Sequence, residues 1–425
     1  MNMRSEGEDP ALSAFSGAFS GGVLAVHAHP DDETLSTGGL LAAFAAAGLP
    51  ARVVTCTRGE RGEVIALAGT TSEGRAGLEG DGPALGAYRE TELARALVAL
   101  GGGEDGAVEQ AFLDTLPPVS AQVNRVVGAG SAPADPVRYQ DSGMTWVAPG
   151  VAGPAPDSPP TAFARVPLDE PAGRLAALIR ATRPAVVATY EPGGGYGHPD
   201  HVRAHEVTVR ALRLAADPAW RPGGGPASGE QQRDGGEPVR EGEPGGGVGR
   251  RDEPWAGAEL WQAVAPAAEV RTARATLAGL PTATELAAAE GLTLADPAEP
   301  LPPFAKDDLP GWSAGRRVVG TSDHRSPGEL PITSGSRGSG GSGAGRGDQG
   351  SRGSDAGRGE RVVRVDVADV LGRVVAAMRA HATQVQHATA LARPEGPVAG
   401  WYALSNGVLA PILTTETYVV VDPLA

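Results

Sequence analysis

Val23-Leu24-Ala25-Val26-His27 is a short apolar, partly β-branched run that stops at the polar cluster His29-Pro30-Asp31-Asp32-Glu33. Leu35 to Ala47 follows as an Ala/Leu-rich stretch closed by Gly48, and Ala51 to Thr57 is a second β-rich run. Strand, loop, helix, strand is the order of a βαβ unit, whose right-handed crossover lays its two strands parallel in one sheet. These residues therefore predict a layered α/β fold.

The same alternation continues outward. Leu85 to Leu100 reads as a helix, with Leu93, Leu97 and Leu100 at helical spacing and a stop at Gly101-Gly102-Gly103. Pro171 to Thr182 reads as a further helix and Pro184 to Tyr190 as a buried strand. The expected class is a Rossmann-like parallel sheet flanked by helices, with a smaller C-terminal part and two disordered insertions. In ranges, 1–20 is a flexible N-terminus, 21–216 the α/β core, and 217–257 and 323–360 Gly/Ser/Arg/Glu/Pro-rich insertions without periodicity. Residues 258–322 read as a helical part or lid, Glu259 to Glu290 being Ala/Leu-rich with a break at Pro281. Residues 361–425 read as a strand-helix part completing the domain: Arg361 to Val367 alternates, Val370 to Ala382 is amphipathic, and apolar runs return at Leu409 to Thr414 and Tyr418 to Val421.

Composition narrows the partners. A formal net charge of −15 over 425 residues repels nucleic acid and anionic membrane at long range, which leaves a small, neutral or weakly charged substrate as the expected partner. The single cysteine, Cys56, excludes an internal disulfide and reads as a small buried side chain. Met1 to Gly22 has no apolar signal region, and no window holds the 18 or so apolar residues of a membrane span, so the expected location is the cytoplasm. Nothing in the pattern sets an oligomeric state.

Chemistry concentrates at two strand ends, where open parallel sheets bind ligands. In the first loop His29 and Asp32 are three residues apart, close enough for a ring nitrogen and a carboxylate oxygen to meet at one metal ion, leaving Asp31 for acid–base work. The second loop is Tyr190-Glu191-Pro192-Gly193-Gly194-Gly195-Tyr196-Gly197-His198-Pro199-Asp200-His201, whose glycines permit a sharp path close to a substrate. A third ligand comes from His198 or His201. Two imidazoles and a carboxylate with an open fourth position are the usual set of a catalytic zinc, with Asp31 as general base and His198 or Tyr196 at the oxyanion or leaving nitrogen. Taken alone, His29-Pro30-Asp31-Asp32 reads more readily as a strand-end turn with an Asx cap for the next helix. Half of the eight histidines, His27, His29, His198 and His201, falling in or directly beside these two strand-end loops favours the metal. His201 and His205 have i, i+4 spacing, but Val202 stands where a metalloprotease helix needs Glu, so His205 is read as a supporting or helix-surface residue.

Ala28-His29-Pro30-Asp31-Asp32-Glu33 together with Gly197-His198-Pro199-Asp200-His201 resembles the LmbE-like, PIG-L-like family of zinc N-acetylglucosaminyl deacetylases. Within it the likeness is to the actinobacterial mycothiol-pathway branch, carried further by Thr55 to Glu60, Gly62 to Ile65, Gly86 to Arg89, Asp141 to Met144, His381 to Val385 and Ala403 to Asn406. The resemblance implies that His29, Asp32 and His201 bind zinc and that Asp31 is the general base. It implies that His198 assists the oxyanion and leaving amine, that Asp200 orients His198, that Tyr196 moves in to help, and that Arg89 and Asp141 hold hydroxyls of a sugar or inositol. The substrate it implies is a small N-acetylglucosaminyl-inositol glycoside. Iron(II) suits two imidazoles and a carboxylate as well as zinc does. The sister amidases, which cleave mycothiol S-conjugates, share the metal set; Glu33-Thr34-Leu35-Ser36-Thr37-Gly38-Gly39 lacks the Lys they carry near Ser36 or Thr37 and looks like the deacetylase. A deacetylase of another glycoconjugate and a non-catalytic sugar or metal-binding module are the remaining readings, and the spare carboxylate of Asp31 speaks against the last.

Overall fold

The structure is a computed structural model that describes residues 18–106, 108–117, 138–148, 150–222, 253–309, 332–335 and 361–425. The first βαβ unit is β1 (Val23–His27), α1 (Asp32–Ala46) and β2 (Ala51–Thr55). Helix α2 (Gly82–Gly101) leads to β3 (Glu109–Phe112), and a hairpin, β4 (Met144–Ala148) and β5 (Val151–Pro154), precedes α3 (Asp169–Thr182), β6 (Val186–Tyr190) and α4 (Pro199–Ala216). Then come β7 (Glu259–Pro266), α5 (Ala267–Ala278), α6 (Pro281–Glu290), β8 (Thr293–Leu294), β9 (Ala305–Lys306) and β10 (Ile332–Gly335). The chain ends with β11 (Arg361–Asp366), α7 (Leu371–Ala380), β12 (Gln386–Glu395), β13 (Val398–Ala403), β14 (Val408–Leu413) and β15 (Thr415–Val421).

The main sheet runs β10-β11-β15-β7-β6-β1-β2-β3, with β9 beside β7. From β3 to β7 all neighbours are parallel, and β15, β11 and β10 extend that sheet antiparallel. Strand β1 is buried along its whole length because both faces are covered, the situation in which a strand reads as a continuous apolar run. Val23 and Ala25 face a layer with Leu41, Phe44, Leu93 and Met378, while Leu24 and Val26 face one with Leu175, Ile179 and Val207. The α/β class and the parallel sheet flanked by helices are therefore as the βαβ reading expects. No described helix is long and apolar enough to cross a membrane.

Two local expectations change. The stretch from Glu259, expected to be helical, begins as strand β7, inserted between β6 and β15. Ala-rich sequence favours helix in isolation, but pairing on both edges and burial of Leu260 and Trp261 override that preference. Within the stretch 323–360, Ile332–Gly335 forms the edge strand β10. Most of the two expected insertions, with residues 1–17, lies outside the described residues.

Leu41 sits in the layer with Val23, Phe44 and Leu93, with none of its surface exposed. Leu41→Ala is expected to cost about 2–5 kcal/mol through lost burial and the cavity left behind. Urea unfolding at unchanged slope checks this.

Candidate metal centre

Because β1 and β6 are parallel neighbours in register, Val23 opposite Val186 and Ala25 opposite Ala188, the loops that follow them leave the same edge of the sheet. Tyr190 fastens them together: its hydroxyl accepts the Ala28 N–H at 2.9 Å, and its ring stacks on His201 with centroids 4.3 Å apart. Both loops are thus delivered to one point by the sheet itself.

At that point Asp32 Oδ2 lies 3.4 Å from His29 Nδ1 and 3.4 Å from His201 Nε2, and it also accepts the His29 backbone N–H at 2.9 Å. His201 Nδ1 donates to the Gly194 carbonyl at 3.2 Å, which leaves Nε2 as the ring nitrogen turned to Asp32. That atom is buried without a hydrogen-bond partner among the described residues. A buried acceptor left open costs free energy unless something binds it. Two ligand atoms about 2.1 Å from a tetrahedral ion lie about 3.4 Å apart, the separation seen here on both sides of Asp32. The donor types, and the spacing of each of the two imidazoles from Asp32, fit a divalent metal. Nitrogens of His29, His198 and His201 also lie within 4.8 Å of one another, as do ligand atoms of His29, Asp141, His198 and Asp200.

Gly194 makes this placement possible. Its φ is +66°, and a Cβ there would lie 2.6 Å from the Val202 nitrogen and 2.9 Å from the His201 Cβ. Any side chain would push the histidine off its position.

The charges are strongly coupled. Burial alone would raise the Asp32 carboxyl, but His201 and His29 outweigh it and hold it well below the usual carboxylate range. Burial alone would lower His29, yet Asp141, Asp200 and Asp32 hold it well above its ordinary value. His198 is pushed well down by burial and by the neighbouring His29 and His201.

Asp31 behaves differently from its neighbour. It stands at the N-cap of α1 with φ 118°, yet its side chain makes no capping bond. The backbone N–H is taken by Glu33 Oε2 at 2.9 Å, while the carboxylate accepts from Arg89 Nη2 at 2.9 Å. The Asx-cap reading of this loop therefore does not describe Asp31. Burial, joined by the charge of Asp32 and opposed by Arg89, pushes its carboxyl up to about 6.

The other site residues divide. Tyr196 packs edge-on against His201 at 5.0 Å and faces Trp146 at 5.8 Å. Asp200 reaches His198 only through its backbone N–H, which donates to Nδ1 at 3.2 Å; its carboxylate accepts from the Ser142 hydroxyl and N–H and lies 3.3 Å from His29 Nε2. Its contact with His29 is the kind that orients a metal-ligating imidazole. Asp141 Oδ1 is 3.7 Å from His29 Nε2, and its carboxylate accepts the N–H groups of Gly143 and Arg61. Arg89 is buried, with Nη1 on the Gly59 carbonyl and Nη2 on Pro30 and Asp31, so both of its Nη groups make hydrogen bonds inside the protein. His205 is tied to the Tyr190 carbonyl at 2.9 Å, away from the cluster, and burial pushes the Cys56 thiol well up, away from nucleophilic use.

Sequence reasoning missed Glu33, Ser142, Tyr190 and His381 as parts of the centre. Glu33 and Tyr190 stand inside the quoted loops, but nothing in local spacing says that His381 closes on Glu33 from 348 residues away. Beside His201 and Tyr196 opens a cavity of about 410 Å³, walled by Val264, Val270, Tyr402 and Val408 from the C-terminal half.

The family model described as PIG-L, GlcNAc-PI de-N-acetylase, matches residues 24–212. The 1D-myo-inositol 2-acetamido-2-deoxy-alpha-D-glucopyranoside deacetylase of Streptomyces avermitilis is 34% identical over 400 residues, 93% of this chain and 90% of the relative. The protein of the same name from Kineococcus radiotolerans is 45% identical over 203 residues, and there the match spans about half of each chain, 48%. The solved structure of N,N'-diacetylchitobiose deacetylase from Pyrococcus horikoshii aligns over 51% of this chain and 63% of that one at 19% identity, with a TM-score of 0.29. Carried by the match to the Streptomyces protein over nearly its whole length, this chain belongs to the PIG-L family.

Proposed function

We propose that the protein hydrolyses the N-acetyl group of 1-D-myo-inositol 2-acetamido-2-deoxy-alpha-D-glucopyranoside to the free amine and acetate, as a step of mycothiol biosynthesis in the cytoplasm. The observation that carries this reading is the 34% identity to a deacetylase of that name across 93% of the chain, with the paired His–Asp loops inside the matched span. The metal in this reading is zinc, with iron(II) compatible by donor type. When bound, the ion supplies a Lewis acid and lowers the pKa of its water.

His29, Asp32 and His201 hold the ion, and Asp200 keeps the His29 ring oriented. Asp31, fixed by Arg89 and lying outside the ligand set, takes the proton of the attacking water. His198, whose Nδ1 is engaged by the Asp200 N–H, has Nε2 free to act at the oxyanion and then at the leaving amine, and Tyr196 beside it adds a hydroxyl donor. Arg89 is better assigned to Asp31 than to the sugar, whereas Asp141, on the wall of a second cavity of about 620 Å³ with Glu60 and Arg61, keeps its role toward substrate hydroxyls. The C-terminal part, 361–425, completes the domain and walls the pocket.

The test offers the zinc-loaded protein the N-acetylglucosaminyl-inositol and a mycothiol S-conjugate side by side. Acetate release from the first is expected to have the higher kcat/KM. Faster cleavage of the S-conjugate would overturn the choice of substrate.

A further inference from the structure

Glu33 joins two parts of the molecule that are far apart in sequence. Its Oε2 accepts the Asp31 N–H at 2.9 Å, and its Oε1 accepts from Thr34 Oγ1 at 2.5 Å and from His381 Nε2 at 2.7 Å. Both Glu33 and His381 are wholly buried. His381 follows directly on α7, and the turn after it is pinned to the core independently. Glu92 accepts both the N–H and the hydroxyl of Thr383, at 2.9 and 2.5 Å, and the Ile65 N–H donates to the Thr383 carbonyl at 2.9 Å.

The residue at the far end of this chain is the one whose backbone is strained. A non-glycine residue at φ 118° lies outside the ordinary left-handed well, a strain that surrounding contacts must offset. The carboxylate of Asp31 points to Arg89 because the backbone is held in that conformation. Among the described residues, the only side chain bonded to the Asp31 N–H is Glu33. The side chain of Glu33 has three torsions of its own, and the bonds from His381 and Thr34 hold its carboxylate in place.

We infer that His381 is a positioning residue for Asp31, acting through Glu33, so that the C-terminal half sets the geometry of the base as well as walling the pocket. The inference rests on Asp31 being the base. It assigns no contact between His381 and substrate or metal.

The substitutions that test it follow from imidazole geometry. A glutamine amide nitrogen falls close to where Nε2 stands and donates to Glu33; an asparagine amide nitrogen falls near Nδ1 and does not reach. Zinc-loaded His381→Asn and His381→Ala are expected to lose about 100-fold in kcat, the scale of a misplaced catalytic group, with KM and zinc stoichiometry close to those of the parent protein; Tm falls in both because the buried Glu33 carboxylate loses its partner, so kcat is taken per folded, zinc-loaded chain. His381→Gln is expected to recover most of that loss. Parent-like kcat in a folded His381→Asn or His381→Ala variant would overturn the inference. So would a folded His381→Gln no faster than His381→Asn, or a loss confined to KM or zinc content. Asp31→Ala measured in parallel separates the two levels: near-parental turnover there removes the premise, whereas an inactive Asp31→Ala beside a fully active His381→Asn removes the inference alone.

Discussion

Asp31→Ala is expected to keep its metal and to lose about 10²–10⁴-fold in kcat, the usual contribution of a positioned general base. The metal should stay because the Asp31 carboxylate bonds Arg89 and not the cluster, whose shared oxygen belongs to Asp32. The substitution leaves the buried Arg89 without its carboxylate, so Asp31→Asn, which keeps an oxygen for Arg89 but is no base, is the cleaner companion. Both variants should show one equivalent of zinc by elemental analysis beside the loss of acetate release. Near-parental rates in either would remove Asp31 from the proton transfer.

His201→Ala is expected to lose the metal, and with it turnover to the level of metal-free protein. Nε2 is buried without a hydrogen-bond partner among the described residues, and the Gly194 carbonyl fixes the ring from the other side, so the substitution removes one of the two imidazoles that face Asp32. His29→Ala should behave alike, since Asp32 would keep only one imidazole opposite it. Competition with a chromogenic chelator measures the affinity directly. A His201→Ala protein that binds zinc as tightly as its parent would mean that His198, close to both other rings, had been the ligand instead.

How much of this was legible follows from where the physics is local. Val23 to Thr55 could be read because a strand covered on both faces must be apolar along its length, and because a glycine-closed helix between two such runs has one common topology. The two histidine loops were legible for the same reason: a parallel sheet sends alternate strand ends to one edge, so distance in sequence says little about distance in space. Strand β7 was not legible, since its Ala and Leu suit a helix equally and only the partners on either side decide. The separate fates of Asp31 and Asp32 were also hidden. Adjacent identical residues differ here because a positive φ turns one carboxylate to Arg89 and leaves the other between two imidazoles. The closure of His381 on Glu33 depends on how the C-terminal half docks, which no local spacing encodes.

The most direct measurement titrates zinc into chelator-stripped protein and follows acetate release from N-acetylglucosaminyl-inositol against bound metal. Activity should rise in proportion to occupancy and saturate at one ion per chain. Acetate release by the stripped protein at the rate of the loaded one would contradict a metal held by His29, Asp32 and His201 as the centre of the chemistry.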